Sequence, residues 1–151
     1  MYPGNSVRLK YGYVVRCTGY SKDGSGRVTE VHCDYLEDSK SGTPGADKHK
    51  VKGVIHWLCA GAARECEVRL YDRLFREPQP GSGTRTYLDD LNPDARRVIT
   101  AFLEPSLEDA RPEDRFQFER HGYFVADRQD SREGAPVFNR TVTLRDSWTK
   151  S

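Results

Sequence analysis

Residues 116–127 read FQFERHGYFVAD, and residues 136–148 read PVFNRTVTLRDSW. Aromatic and β-branched residues of this kind are enriched in strands, so the two runs predict a pair of β-strands. Gly122 permits a bulge in the first run. Gly134 and Pro136 interrupt the chain before the second run, as turn residues do.

The first run also carries the groups that are best suited to recognition. Gln117 contributes a carboxamide and Arg120 a guanidinium, and both stand among aromatic residues. Such a combination suits unstacked RNA bases, because aromatic rings stack on the bases while amide and guanidinium groups bond to their edges. The block therefore indicates an RNA-reading surface on a small β-rich chain.

The amino-terminal part of the chain predicts more strands. Residues 7–17 alternate apolar and other positions and predict one long strand. An Asp-Gly turn at residues 22–26 leads into a partner strand at residues 28–35, which gives a hairpin. Residues 37–50 are rich in Gly, Ser, Asp and Lys, and they predict a long exposed loop.

Two further strands are predicted at residues 51–58 and 66–75. The stretch that follows them, PQPGSG at residues 78–83, is the clearest linker in the chain. It divides the sequence into a first domain of residues 1–77 and a second domain of residues 78–151.

The second domain is predicted to contain helical turns at residues 87–90 and 106–110 and a strand at residues 98–103. The two carboxy-terminal strands complete it. Short β runs and turn signals dominate the whole sequence. The predicted fold class is therefore all-β, a sandwich or barrel with short helical turns.

Composition narrows the possible functions. The chain has 24 Lys and Arg against 23 Asp and Glu, a net charge of +1, so contact with nucleic acid must come from local basic clusters. No apolar run approaches the roughly 20 residues of a membrane span, and the amino terminus does not read as a signal peptide. We expect a cytoplasmic protein that binds neither membranes nor DNA.

The cysteines and histidines predict neither a metal site nor a catalytic site. The cysteines lack C-x-x-C spacing, which favours buried, reduced thiols over zinc or a disulfide. The histidines are scattered and form no catalytic constellation. These residues are Cys17, Cys33, Cys59 and Cys66, with His32, His49, His56 and His121.

Five motifs, in order, resemble the anticodon-binding region of the glutaminyl-tRNA synthetases. They are VRLK at residues 7–10, VKGVIHW at 51–57, RLYDRLF at 69–75, EPSL at 104–107, and the carboxy-terminal block. The resemblance implies a tandem of β-barrels of antiparallel strands that grips the anticodon loop of a glutamine tRNA. It also implies that the first strands of the second barrel lie upstream of this chain.

The same resemblance implies that the ligase chemistry belongs to another part of a longer protein. The chain has no His-Ile-Gly-His-type or Lys-Met-Ser-Lys-Ser-type motif and no α/β alternation that would build a nucleotide-binding fold. We expect no catalytic residue, metal site or cofactor here. An ATP-dependent class I aminoacyl-tRNA synthetase would hold ATP and Mg²⁺ in its catalytic domain, which is the second expected partner of this region.

Three residues match family positions that contact the anticodon. Gln117 and Arg120 match positions that read the central uridine, and Arg8 matches a position at the first base. A uracil edge offers two carbonyl acceptors and one N–H donor, which a carboxamide and a guanidinium complement. Without the resemblance, the first two residues fit a solvated strand face more readily, with Arg120 paired to Glu119 or Asp127.

Five basic residues are candidate phosphate contacts, which position RNA without reading its sequence. By composition alone each is more readily an ordinary solvated side chain. Trp57, which lies in an apolar run, is predicted to belong to the core. The five basic residues are Lys10, Arg16, Lys48, Lys50 and Lys52.

Two alternative functions stay open at the level of sequence. Glutamyl-type ligases share the same barrels, and a free-standing β-barrel that binds structured RNA would show similar strand patterns. The placing of Gln117 and Arg120 favours the glutamine enzyme, and the presence or absence of coding sequence upstream of Met1 would separate the ligases from the free-standing barrel.

Overall fold

Residues 1–144, the part of the chain that this computed structural model describes, contain nine strands and four short 3₁₀ turns. No α-helix occurs in that range, which confirms the all-β fold class with short helical turns. The strands are β1 (Ser6–Leu9), β2 (Val14–Lys22), β3 (Val28–Tyr35), β4 (Val54–Ile55), β5 (Arg64–Tyr71), β6 (Arg96–Leu103), β7 (Arg115–Phe118), β8 (Gly122–Ala126) and β9 (Val137–Val142). The 3₁₀ turns are Glu37–Ser39, Ala46–Lys48, Tyr87–Asp90 and Pro105–Leu107. The end of the second carboxy-terminal run, from residue 145, lies outside the described residues.

The chain divides into two compact units, Met1–Trp57 and a second unit that begins at Leu58. The linker at residues 78–83 had placed this division after residue 77. The difference arises because β5, which precedes the linker, pairs with β6 and β9, which follow it. The Pro- and Gly-rich stretch is therefore a connection within the second unit.

The first unit contains one sheet in the order β3-β2-β1-β4. The predicted hairpin is confirmed as β2 and β3, which are antiparallel. The Asp23 carboxylate holds the turn between them by accepting hydrogen bonds from the N–H groups of Ser25 at 2.9 Å and Arg27 at 3.0 Å. Strand β4 pairs parallel to β1, whereas the resemblance had implied antiparallel strands.

The prediction of one long strand at residues 7–17 is wrong. These residues form β1, a tight turn and the start of β2, and the Leu9 N–H donates to the Tyr13 carbonyl across the turn at 2.8 Å. Tyr11 lies in the turn with a φ of 57° and is 81% exposed. Apolar residues continue at every second position through the turn, so periodicity alone could not reveal it.

Two other predictions in the first unit are corrected in part. The strand expected at residues 51–58 shortens to β4, two residues long. The loop at residues 37–50 is present, but Ser39 and Ala46 within it are buried. The Ser39 hydroxyl fastens the loop to the sheet, since it accepts from the Val14 N–H at 2.8 Å and donates to the Leu36 carbonyl.

The second unit contains a sheet in the order β6-β5-β9-β8-β7. Its core consists of Cys66, Val68, Leu103, Phe124, Ala126 and Phe138, with Phe116 and Phe118 packed against it. The rings of Phe118 and Phe124 stack with their centroids 4.4 Å apart. The predicted strand at 98–103 is present as β6 and the helical turn at 87–90 as a 3₁₀ turn. The strand predicted at 66–75 ends at residue 71, as β5, and the helical turn predicted at 106–110 is shifted to Pro105–Leu107.

The carboxy-terminal block forms three strands where the sequence predicted a pair. Residues 116–127 are a hairpin of β7 and β8, because the chain turns at Arg120, whose φ is 65°. The bulge expected at Gly122 falls after Tyr123, in the pairing of β8 with β9. Strand β9 lies between β8 and β5, antiparallel to the first and parallel to the second.

Candidate nucleic-acid interface

Side chains along β7 alternate between the hydrophobic core and the exposed face of the sheet. Phe116 and Phe118 are half-buried and pack on Phe138, with ring centroids 5.7 and 5.1 Å from its ring. Gln117 lies between them on the opposite face and is exposed. The two phenylalanines thus fix the strand, and Gln117 is presented from a rigid element rather than from a loop.

Tyr123 of β8 lies directly opposite Gln117 in the strand register. The ring is 46% exposed, and its backbone carbonyl accepts a hydrogen bond from the Thr141 hydroxyl of β9 at 3.1 Å. Because directly opposed side chains of an antiparallel pair are within contact distance, Gln117 and Tyr123 form one surface. A carboxamide beside an exposed aromatic ring can bond to the edge of a base whose face stacks on the ring.

A shallow groove of about 550 Å³ surrounds this pair. Its polar lining comes from three strands, with Arg115 on β7 and Thr141 on β9 beside Gln117 and Tyr123. The sequence had singled out Gln117 alone among these residues. Arg115 and Tyr123 could have been found by recognising the turn at residues 119–121, since that turn fixes the register that brings them together.

Arg120 occupies the turn of the same hairpin. It is exposed and adopts a left-handed backbone conformation. A hydrogen bond from the His121 N–H to the Phe118 carbonyl, at 2.9 Å, closes the turn around it. The structure therefore places Gln117 and Arg120 on one hairpin, where the sequence had placed both on one strand.

The Asp127 carboxylate, which proximity in the chain had suggested as a partner of Arg120, belongs to a different cluster. It accepts from the Asn139 amide at 2.6 Å, from the Arg69 guanidinium at 3.3 Å and from the backbone N–H groups of Gln129 and Asp130. These bonds, above all the one from Asn139, hold the pKa of Asp127 below its usual value. The cluster joins β5 to β9, the strand that also contributes Thr141 to the groove.

Arg8, predicted at the first anticodon base, lies on β1 in the first unit. Its guanidinium donates to the carbonyls of Ser39 at 2.6 Å, Ala46 at 3.0 Å and His49 at 3.3 Å. It also donates to the Ser41 hydroxyl at 3.3 Å. The side chain anchors the loop of residues 37–50 to the sheet, and a contact with a base stays a prediction.

The candidate phosphate contacts all lie in the first unit. Lys48, Lys50 and Lys52 are exposed, and Lys48 ends the 3₁₀ turn whose first carbonyl Arg8 binds. Arg16 is exposed on β2, opposite Ser6 of β1. Arg8 therefore positions the segment that carries Lys48, while contact of these side chains with phosphate stays a prediction.

Lys10 and Trp57 meet at the turn after β1. The Lys10 ammonium lies 4.9 Å from the centre of the Tyr11 ring, and the Lys10 carbonyl accepts from the Trp57 indole at 3.1 Å. Trp57 is 46% exposed, so its assignment to the core was wrong. The indole N–H is satisfied by a backbone carbonyl, which leaves much of the ring at the surface.

The four cysteines are free thiols. Cys17 and Cys66 are buried as predicted, whereas Cys33 and Cys59 are exposed. Burial raises the pKa of the Cys66 thiol to about 11, so it remains protonated at neutral pH. Within residues 1–144, no three His, Cys, Asp or Glu side chains are grouped as a metal site would require.

None of the helical turns in residues 1–144 has the length and apolar character that crossing a bilayer would require.

Family models and individual relatives both match the chain. Two models described as "tRNA synthetases class I (E and Q), anti-codon binding domain" match residues 1–36 and 54–127. Glutamine–tRNA ligases of Cupriavidus taiwanensis and Ralstonia nicotianae are 67% and 66% identical over 150 residues. That of Bordetella pertussis is 57% identical over 148 residues. The alignments cover 98–99% of this chain but 25–26% of those proteins, so the chain spans about a quarter of their length.

Proposed function

Because this chain belongs to the family of anticodon-binding domains of class I tRNA synthetases for glutamate and glutamine, we propose that its β7–β8 hairpin binds the anticodon loop of a glutamine tRNA. The observation that carries the proposal is the exposed pair of Gln117 and Tyr123, fixed from behind by Phe116 and Phe118. The relatives that cover nearly all of the chain are glutamine–tRNA ligases, which supports glutamine over glutamate.

Base recognition at this site follows from the chemistry of the paired side chains. The central uridine presents two carbonyl acceptors and an N–H donor, and the Gln117 carboxamide can satisfy one of each. Tyr123 offers a ring on which the base stacks, and Arg115 and Arg120 offer guanidinium donors on the same hairpin. A fixed strand that presents these groups costs little ordering entropy on binding.

The remaining parts of the reaction belong, in this proposal, to the rest of a longer protein. The complete protein would join glutamine to its tRNA in the cytoplasm, and its catalytic domain would bind ATP and Mg²⁺. In that arrangement this region selects the tRNA and the catalytic domain acts on its distant end. The basic residues of the first unit, Lys10, Arg16, Lys48, Lys50 and Lys52, would hold the phosphate backbone.

Binding of anticodon stem-loop RNAs to the purified chain tests base reading. Gln117→Ala and Arg120→Ala should each weaken binding of the glutamine stem-loop by about 1–3 kcal/mol, as loss of a specific base contact does. The loss should shrink on an RNA in which cytidine replaces the central uridine, since that contact is then already impaired. Dissociation constants from fluorescence anisotropy give the comparison.

Two matched variants control this experiment. Gln79→Ala removes the same side chain from an exposed position in the Pro- and Gly-rich connection and should leave binding unchanged. Lys48→Ala should weaken all RNAs alike and reduce the salt dependence of binding, as loss of a phosphate contact does. Equal losses for Gln117→Ala and Arg120→Ala on both RNAs would show that the hairpin does not read the central base. Preference for a glutamate stem-loop would shift the assignment to the glutamate branch of the family.

A further inference from the structure

Two of the free thiols face each other across the β2–β3 hairpin. Cys17 of β2 and Cys33 of β3 are direct partners in the antiparallel register. The Leu36 N–H donates to the Val14 carbonyl, so Val14 and Leu36 are a hydrogen-bonded pair. Hydrogen-bonded and non-hydrogen-bonded pairs alternate along an antiparallel ladder, and Cys17 and Cys33, three pairs further on, are therefore a non-hydrogen-bonded pair. Cα atoms in such pairs are about 4.5 Å apart, which lies within the range that a disulfide spans.

The strands around Cys17 and Cys33 can adjust locally when the two thiols become a disulfide. The register shifts immediately after Cys17, leaving Thr18 without a partner residue, and β3 is an edge strand with all eight residues exposed. A bulge and a free edge let the two strands adjust locally without disturbing the core. Cys33 is exposed, whereas Cys17 is 1% exposed and its thiol donates to the Gly19 carbonyl at 3.5 Å.

We propose that Cys17 and Cys33 are a reversible redox pair, oxidised to a cross-strand disulfide by low-molecular-weight disulfides of the glutathione type. The exposed Cys33 thiolate attacks one sulfur of glutathione disulfide, forms a mixed disulfide and releases one glutathione thiolate. The Cys17 thiolate then attacks the Cys33 sulfur and releases the second glutathione. Two protein thiols are oxidised, one glutathione disulfide is reduced, and the two thiol protons pass to the released glutathione.

The other two cysteines do not combine an accessible thiol with a cysteine as strand partner. Cys66 is buried, and its raised pKa keeps it a thiol. Cys59 is exposed but lies outside the strands, and no register partner is a cysteine. Partial desolvation of the Cys33 thiol and the neighbouring Cys17 raise the pKa of Cys33, which lowers its thiolate fraction at neutral pH, so oxidation should accelerate as the pH rises.

Mass spectrometry of the oxidised chain tests the pair. The variant Cys59→Ser, incubated with glutathione disulfide, should lose two hydrogens in mass and yield a Cys17–Cys33 cross-linked peptide that dithiothreitol reverses. Adding Cys17→Ala should replace the cross-link by a lasting glutathione adduct on Cys33. Adding Cys33→Ser instead should abolish both products, because Cys17 is inaccessible.

Other products would overturn the proposal. A stable glutathione adduct on Cys33 with Cys17 intact, or a dimer linked through Cys33, would show that the facing thiols do not join. Circular dichroism of each variant separates such results from unfolding. The Cys59→Ser variant keeps both thiols of the pair, so its product decides the question even if a variant at Cys17 fails to fold.

Discussion

At the scale of single residues, the side chains of Asp127 and Arg69 hold several segments of the second unit together. Asp127 takes four hydrogen bonds, from Asn139, Arg69 and two backbone N–H groups. Arg69 in turn contacts Asp130 at 2.7 Å and Glu67 at 2.6 Å. Arg69 and Asp127 thus form one connected polar cluster, in which Arg69 on β5 and Asn139 on β9 both donate to the same carboxylate.

Replacing Asp127 should destabilise the second unit. Asp127→Ala leaves the Asn139 amide and two backbone donors without an acceptor, at a cost of about 1–3 kcal/mol. The folded-state pKa is lowered, so the stabilisation is present above the usual value of 3.8 and is lost as the pH falls below it. Urea unfolding at neutral and acidic pH measures both effects. Asp47→Ala, at an exposed carboxylate, is the control, and an equal loss in both variants would refute the prediction.

Arg8→Ala should destabilise the first unit by about 1–3 kcal/mol, because the Ser39 carbonyl loses the Arg8 donor and the Ala46 carbonyl keeps only the longer bond from the His49 N–H, at 3.3 Å. Arg8→Lys should recover little of this, since an ammonium lacks the fork that spans several carbonyls. Thermal unfolding measures the loss. If Arg8 also contacts the first anticodon base, RNA binding by Arg8→Lys will weaken more for the natural first base than for a substituted one; an equal loss would leave Arg8 as a loop anchor only.

At the scale of elements, the two tight hairpins decide how the sheets are built. The chain reverses at Tyr11 and again at Arg120, both with positive φ. Neither turn carries the Asn-Gly or Asp-Gly pair that announces such reversals, unlike the turn at Asp23 and Gly24, which the sequence predicted. The alternation of apolar residues therefore predicted the regions that contain strands. It could not predict where β1 gives way to β2 or β7 to β8, because those turns depend on left-handed backbone conformations at Tyr11 and Arg120.

Gly122 lies where the backbones of β8 and β9 approach closely. A Cβ atom there would lie 2.5 Å from the Val142 carbonyl oxygen of β9, and its φ is 138°. Backbone strain alone costs about 1–3 kcal/mol. Gly122→Ala should destabilise the second unit by more than this, since β8 and β9 must also separate. Gly134→Ala, with a φ of 71° but open space around it, isolates the strain. If chemical denaturation gave the same loss of stability for Gly122→Ala and Gly134→Ala, the clash with β9 would be excluded.

At the scale of the whole molecule, each unit is closed by a strand that is distant in sequence. Strand β4 pairs with β1 in the first unit, and β9 pairs with β5 in the second, both in parallel. Periodicity identifies strands but not partners, so neither pairing could be predicted. The same holds for the candidate site, where residue chemistry singled out Gln117 and Arg120 and a resemblance gave them a role, whereas the place of Tyr123 beside Gln117 required the register.

Ending the chain at Ala135 should therefore unfold the second sheet and spare the first. Removal of β9 leaves β5 and β8 without their common neighbour and deprives the core of Phe138. Hydrogen exchange should show lost protection in β5 to β8 and native protection in β1 to β3, whose sheet contains no strand from the second unit. Retained protection in β8 would contradict this account.

The parallel pairing of β5 with β9 also orders events during synthesis. The first sheet is complete once residue 55 has been translated, whereas the second cannot close before residue 142. At about 5–20 residues per second, these points are on the order of 10 s apart. Strands β5 and β6 are both translated only at residue 103, so for the last part of that interval, about a few seconds, the edge of β5 that will pair with β9 is exposed to other nascent chains and to chaperones.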